Sequence, residues 1–216
     1  MHNSSQEDVF TYCAESIVKS VSLGYNGTVM CYGQTGAGKT FTMNGSTPNY
    51  KYRGLIPRAI TSIFTEIGSL YDQEVKVSVS YLEIYNEHIF DLLSDELRDP
   101  KGGSNISIQD DAKGEVHVKG LRIENVTNEE QALNFLFEGE TKKTIAATNF
   151  NKESSRAHSV YTIYLQSKSK MESTEKVIHS RLHLVDLAGN ERTKKLDGEK
   201  RVIEANFINK SLTFLE

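Results

Sequence analysis

Gly33-Gln34-Thr35-Gly36-Ala37-Gly38-Lys39-Thr40 decides how the chain is read, because it is a complete G-x-x-x-x-G-K-T pattern. The preceding Gly27-Thr28-Val29-Met30-Cys31-Tyr32 is short, apolar and β-branched, and reads as a strand. Phe41-Thr42-Met43 continues as the start of a helix. Strand, glycine-rich loop and helix are the setting a phosphate-binding loop needs. Glycines let the backbone curl so that successive N–H groups point at phosphate oxygens, and the helix N-terminus adds partial positive charge. Lys39 would reach the β- and γ-phosphates, and the Thr40 hydroxyl would ligate Mg²⁺. At average residue usage the pattern arises by chance in roughly one chain of this length in a hundred.

The 216 residues and 38% hydrophobic content are enough for a sizeable core and predict one domain. A net charge of −4 argues against general nucleic-acid binding, which rests on excess Lys and Arg. Cys13 falls in a helical pattern and Cys31 in the strand before the loop, so both read as small core residues. The N-terminus lacks a signal-peptide layout and no apolar run approaches membrane-spanning length, which predicts a cytoplasmic protein.

Val9, Phe10, Cys13, Ala14, Ile17, Val18 and Val21 recur at helical spacing, predicting one helix that ends near Gly24. A second helix is predicted from Pro57, with Ile60, Ile63, Phe64, Ile67 and Leu70 on one face. Alternation of Val75, Val77, Val79 and Tyr81 predicts a half-buried strand, and Glu87 to Leu93 a short helix. Ile106-Ser107-Ile108 and Val116-His117-Val118 read as a hairpin. Thr127-Asn128-Glu129-Glu130 has capping-box spacing and should open a helix to about Ala147. Strands are predicted at Ser159 to Gln166 and Val177 to Asp186, and a last helix at Glu199 to Glu216. Alternating strands and helices around the loop point to a three-layer α/β fold.

Two further segments narrow the chemistry. Asn151-Lys152-Glu153-Ser154-Ser155-Arg156-Ala157-His158 sets two hydroxyls beside an arginine just before a strand. Val185-Asp186-Leu187-Ala188-Gly189-Asn190-Glu191 ends an apolar strand on an aspartate, where such an enzyme needs its Mg²⁺-associated carboxylate. Gly189 offers an N–H with no side chain in the way, suited to close approach by a γ-phosphate. Loops held only by that phosphate can order and release as it is hydrolysed.

Together these segments resemble the kinesin motor domain: Gly33 to Thr40 its phosphate loop, Asn151 to His158 its first switch, Asp186 to Glu191 its second. Glu204 to Leu212 resembles its relay helix, and Gly24 to Thr28 and Ser80 to Glu87 are also similar. Leu136 to Thr141 and Ser211 to Glu216 are closest in wording to the kinesin-nine subfamily of cilia and flagella. The resemblance implies a P-loop NTPase fold, a central mixed, mostly parallel sheet with helices on both faces. It implies microtubule-stimulated ATP hydrolysis with ATP and Mg²⁺, in the cytoplasm on the cytoskeleton.

By the same resemblance, Ser155 and Thr40 approach Mg²⁺ directly and Asp186 through water. Ser154 helps to hold the attacking water, Arg156 pairs with Glu191, and Phe41 stacks on adenine beside Gly33 to Thr40. Ala157 stands where the family has serine and Asn190 where it has a small residue, which predicts slowed hydrolysis with nucleotide binding retained. Arg192, Lys194, Lys195, Lys200, Arg201 and Lys210 are the expected microtubule contacts, since cations must be concentrated to meet an acidic filament. Lys113 and Lys119 are a second, weaker candidate patch, for which solvated surface charge is the favoured reading.

The resemblance covers the middle of a motor domain. The family's first strand, its last strand and its neck linker find no counterpart, so Val29 and Cys31 are expected on a sheet edge. Dimerisation is expected through segments outside these residues. The competing expectations are a non-catalytic tubulin-binding module and another P-loop enzyme such as a small-molecule kinase or a myosin-like motor.

Overall fold

The computed structural model describes residues 4–46, 50–94, 106–110, 112, 114, 116–150, 156–171, 176–190 and 209–213. Helices α1 (Gln6–Cys13) and α2 (Glu15–Ser22) lead into strand β1 (Gly27–Cys31), the phosphate loop and helix α3 (Lys39–Met43). Helix α4 (Leu55–Gly68), strands β2 (Gln73–Tyr85) and β3 (His88–Asp91), and the hairpin β4 (Ser107–Asp110) with β5 (Val116–Lys119) follow. Strand β6 (Glu124–Val126), helix α5 (Glu129–Phe150) and strands β7 (His158–Ser169) and β8 (Val177–Asp186) come next, and residues 209–213 are helical.

The main sheet runs β1-β8-β7-β2-β3, with β6 also on β2. Only β1 with β8 is parallel among the described strand pairs, so the sheet is mixed, as expected, but largely antiparallel rather than mostly parallel. The reason lies in the long β2, β7 and β8, which pair antiparallel along nearly their whole lengths and dominate the sheet. Strand β1 pairs on one side among the described residues, as expected of an edge, and Met30 is half exposed there.

Registers across four strands stack side chains in rows. Val79, Ile163 and Leu182 form one row, and Tyr81, Tyr161, Leu184 and Val29 the next. Both rows are buried in a core shared with Val18 and Val21 of α2, Ile60 and Ile63 of α4, and Leu133 and Leu136 of α5. A separate small cluster joins Leu187 and Ala188 to Leu212 and Val185, so residues 209–213 pack on the opposite face. These are the three layers: helices, sheet, helix.

Local chemistry explains where the elements depart from expectation. The first helix breaks at Ala14 (φ −127°, ψ −32°), which enters the core and leaves Cys13 exposed, correcting its core assignment. Helix α4 starts at Leu55, two residues before Pro57, whose missing N–H falls in the first turn where no partner is needed. No helix forms over Glu87 to Leu93. Asn86 and Glu87 take positive φ of 50° and 64°, making the two-residue turn that sets Tyr85 opposite His88 and folds β3 onto β2. At α5 the cap is Asn128, whose Oδ1 accepts from Gln131 N at 2.9 Å, while Gln131 Oε1 accepts from Thr127 N at 2.8 Å. Among the described residues no helix is long and apolar enough to cross a membrane.

The two cysteines differ in a measurable way. Burial, and then the Asp186 carboxylate, push the Cys31 thiol up to about 11, whereas Cys13 is open to solvent. At pH 8 a thiol at that value is thiolate on the order of one part in a thousand. Iodoacetamide followed by peptide mass analysis is expected to label Cys13 first, and preferential labelling of Cys31 would contradict the structure.

Candidate nucleotide site

The rows of the sheet change character at one end. Beyond Tyr81, Tyr161, Leu184 and Val29, the next positions in register are Glu83, Ser159, Asp186 and Cys31. Glu83, Ser159 and Asp186 are buried. An apolar core thus ends in a polar row at the C-terminal ends of the parallel pair β1 and β8, where open α/β sheets place their ligands.

The phosphate loop leaves β1 at this edge. Gly36 and Gly38 have φ of +80° and +90°, a backbone that residues with a Cβ rarely adopt, and a Cβ at either would point into open space. Gly38 caps α3, and Thr42 N donates to its carbonyl at 2.8 Å. Lys39 is half-buried at the start of α3, and its Nζ donates to the Gln34 carbonyl, 3.1 Å away within the loop. Gln34 also forms a parallel bridge with Asn190, whose N donates to Gly33 O at 3.3 Å and whose Nδ2 donates to Tyr32 Oη at 3.1 Å. Asn190 therefore fastens the residues after β8 to the loop. A Cβ on Gly189 would lie 2.0 Å from Thr35 Oγ1, so only glycine lets the two loops approach this closely.

Asp186 is the centre of the arrangement. It is 6% exposed, and its Oδ2 accepts from the Thr40 hydroxyl at 2.6 Å. Its Oδ1 is buried with no hydrogen-bond partner among the described residues. A buried carboxylate oxygen left over beside a threonine hydroxyl is the hard oxygen donor set that suits Mg²⁺. Burial raises the Asp186 carboxyl above its ordinary range, opposed by the Thr40 hydrogen bond and then by the charges of Lys143 and Lys39.

Helix α5 supplies the supporting layer. Its buried stripe, Ala132, Leu136, Gly139 and Lys143, ends in a cation that is 5% exposed. Lys143 Nζ donates to Ser159 Oγ at 3.2 Å and lies 3.4 Å from Glu140 Oε1, which also accepts from Tyr81 Oη. Burial and then the Glu140 charge hold the Tyr81 phenol well above its ordinary value, so it stays a donor. Ser159 is the register partner of Asp186, so this network lies directly beside the carboxylate. Pattern reasoning missed Tyr81, Glu140, Lys143 and Ser159. The available signal was a lysine in register with an apolar stripe.

The structure brings together Gly33, Gln34, Thr35, Gly36, Ala37, Gly38, Lys39, Thr40, Asp186 and Gly189. Phe41 follows on α3 and is 48% exposed, so it is not a core residue. Arg156 is buried two residues before β7, and Ala157 is buried next to it. Lys210 is exposed on the helical segment and Lys119 on β5. Ser154, Ser155, Glu191, Arg192, Lys194, Lys195, Lys200, Arg201 and Lys113 lie outside the described residues.

Two outcomes follow from the buried charges. Because the folded state favours the protonated Asp186, ligand-free stability falls as pH rises from the unfolded carboxylate range through the raised folded value. Asp186→Asn should therefore raise the melting stability of nucleotide-free protein at pH 7 by about 1 kcal/mol while abolishing Mg²⁺-dependent nucleotide uptake. A lowered melting temperature would refute this. Lys143→Met should raise the Mg²⁺ concentration needed for half-maximal nucleotide binding roughly 3- to 10-fold at pH 6.5, with a smaller effect at pH 8. Equal effects at both pH values, read by titration calorimetry, would refute the electrostatic role.

Comparison with known proteins agrees with this geometry. A family profile described as Kinesin motor domain matches residues 1–216. The chain is 48% identical over 217 aligned residues to the mouse kinesin-like protein KIF9, covering 100% of this chain and 27% of that protein. It is 46% identical to the Chlamydomonas reinhardtii kinesin-like protein KLP1, covering 100% of this chain and 28% of that one. The KIF9 similarity accords with the kinesin-nine wording of the sequence. A solved structure described as that of a fast kinesin superposes with a TM-score of 0.84 at 38% identity, over 95% of this chain and 57% of that one. The chain spans about a quarter of the length of these curated relatives. With a phosphate loop locked to the end of β8, a full-length profile match and a superposing solved motor, the chain belongs to the kinesin motor domain family.

Proposed function

We propose that these residues form the ATP-binding and ATP-hydrolysing core of a microtubule motor, in which nucleotide state sets filament affinity. The observation that carries the reading is the Thr40–Asp186 contact with Asp186 Oδ1 left over, at the foot of an open, left-handed glycine loop. Thr40 and Asp186, with Ser155, would hold Mg²⁺, which when bound neutralises charge on the phosphate oxygens.

The remaining work falls to the chain's own groups. Loop N–H groups from Gly33 to Thr40 cradle the phosphates, and Lys39 swings from the Gln34 carbonyl to the β- and γ-phosphates. Gly189 N–H contacts the γ-phosphate, Ser154 orients the attacking water, and Arg156 with Glu191 closes the site. Phe41 carries the adenine ring. Preorganised donors aimed at developing charge supply most of the acceleration in such a reaction. Filament contact falls to Arg192, Lys194, Lys195, Lys200, Arg201 and Lys210, and the cellular setting is the cytoskeleton, including cilia or flagella. The names of the relatives support this reading: mouse KIF9 and Chlamydomonas KLP1 are kinesin-like proteins.

Calorimetry should show Mg²⁺-dependent ATP binding, lost in Lys39→Ala. Co-sedimentation with microtubules should be stronger with a non-hydrolysable ATP analogue than with ADP. Pelleting that ignores the nucleotide would favour a tubulin-binding module instead, and no pelleting would remove the motor reading.

A further inference from the structure

The first residue of β7, His158, touches both the end of β8 and the helical segment beyond it. Its side chain is buried, 9% exposed. Ala188 N donates to His158 Nδ1 at 3.1 Å, and Ser211 Oγ lies 2.8 Å from Nε2. A backbone amide can only donate, so Nδ1 carries the lone pair and the ring proton must sit on Nε2. Nε2–H therefore donates to Ser211 Oγ. Burial lowers the His158 pKa, in keeping with a neutral ring.

The contact is reinforced from the other side. Leu212, next to Ser211, is buried on Leu187 and Ala188, so the same pair of helical residues holds the segment after β8 by one direct apolar contact and by one polar contact made through His158. Ala188 directly precedes Gly189, which packs against Thr35 of the phosphate loop. A displacement of Gly189 therefore moves the amide that fixes the imidazole. An apolar contact tolerates sliding, whereas a hydrogen bond is lost below about 120° or beyond 3.5 Å, so the polar half supplies the discrimination.

We propose that His158, as its Nε2–H tautomer, is a positioning residue that clasps the 209–213 helical segment through Ser211 to the Ala188–Gly189 backbone, transmitting movement at the γ-phosphate contact to that helix. The clasp rests on the proposed motor function, since transmission has meaning only if nucleotide state moves Gly189. It makes no contact with substrate.

The direct test is long-range ¹H–¹⁵N correlation of imidazole-labelled protein with ADP bound, where His158 should show an acceptor-type Nδ1 and a protonated Nε2. The opposite tautomer would overturn the assignment, and this readout needs no substitution. In function, Ser211→Ala should leave Mg–ATP affinity within about twofold yet shrink the ratio of microtubule affinities, analogue over ADP, about 3- to 10-fold. His158→Asn should shrink it comparably, and the double variant no further than the worse single one, because both substitutions cut one chain of contacts. An unchanged ratio in Ser211→Ala, or additive losses, would overturn the clasp. If the unsubstituted protein shows no nucleotide-dependent ratio at all, the motor reading fails and transmission with it, while the tautomer still reports whether the contact exists.

Discussion

Parallel pairing of β1 with β8, which sets Cys31 opposite Asp186, is the constraint on which the site depends. The chain leaves one strand as the phosphate loop and the other as the segment from Leu187 to Asn190. Since the strands run in the same direction, both exits lie at the same sheet edge. Leu187 N donates to Cys31 O at 3.3 Å and Asn190 N to Gly33 O at 3.3 Å, so the pairing continues past the strands into the loops themselves. Asp186 meets Thr40 because the strand register leaves it no other place.

That position is costly for the protein without ligand. A carboxylate at 6% exposure with one oxygen unpartnered among the described residues is a destabilising feature, which on the proposed function a cation and a polyanion would complete. The fold offsets the cost in two ways. Thr40 donates one hydrogen bond, and the buried Lys143 sets a positive charge behind Ser159. Lys143 in turn is held by Glu140, itself fixed by Tyr81 from the sheet. A support layer of this kind orients the groups that touch the ligand and tunes their charge.

On the proposed function, the opposite face of the sheet would carry the output. Leu187 and Ala188 belong to the second small cluster rather than to the main core, so motion there does not require repacking of the rows around Tyr81 and Tyr161. Separation of a rigid binding edge from a lightly packed outgoing contact is what a switch needs, since packed cores yield little and small clusters can rearrange.

The sequence by itself determined the phosphate loop, the strand before it, the terminal aspartate of β8, the hairpin of β4 and β5, and most helix positions. These are local patterns: glycine spacing, apolar periodicity and turn chemistry act over a few residues. Even the misjudged turn at Asn86 and Glu87 was local, an αL pair hidden in a stretch that looked helical. Tertiary structure alone decided the antiparallel bulk of the sheet, the outward turn of Cys13, the polar row of Glu83, Ser159 and Asp186, and the burial of Lys143 and His158. Each depends on which strands become neighbours and in what register. No short window of sequence carries that information, because the partners lie tens of residues apart and meet only when the core closes.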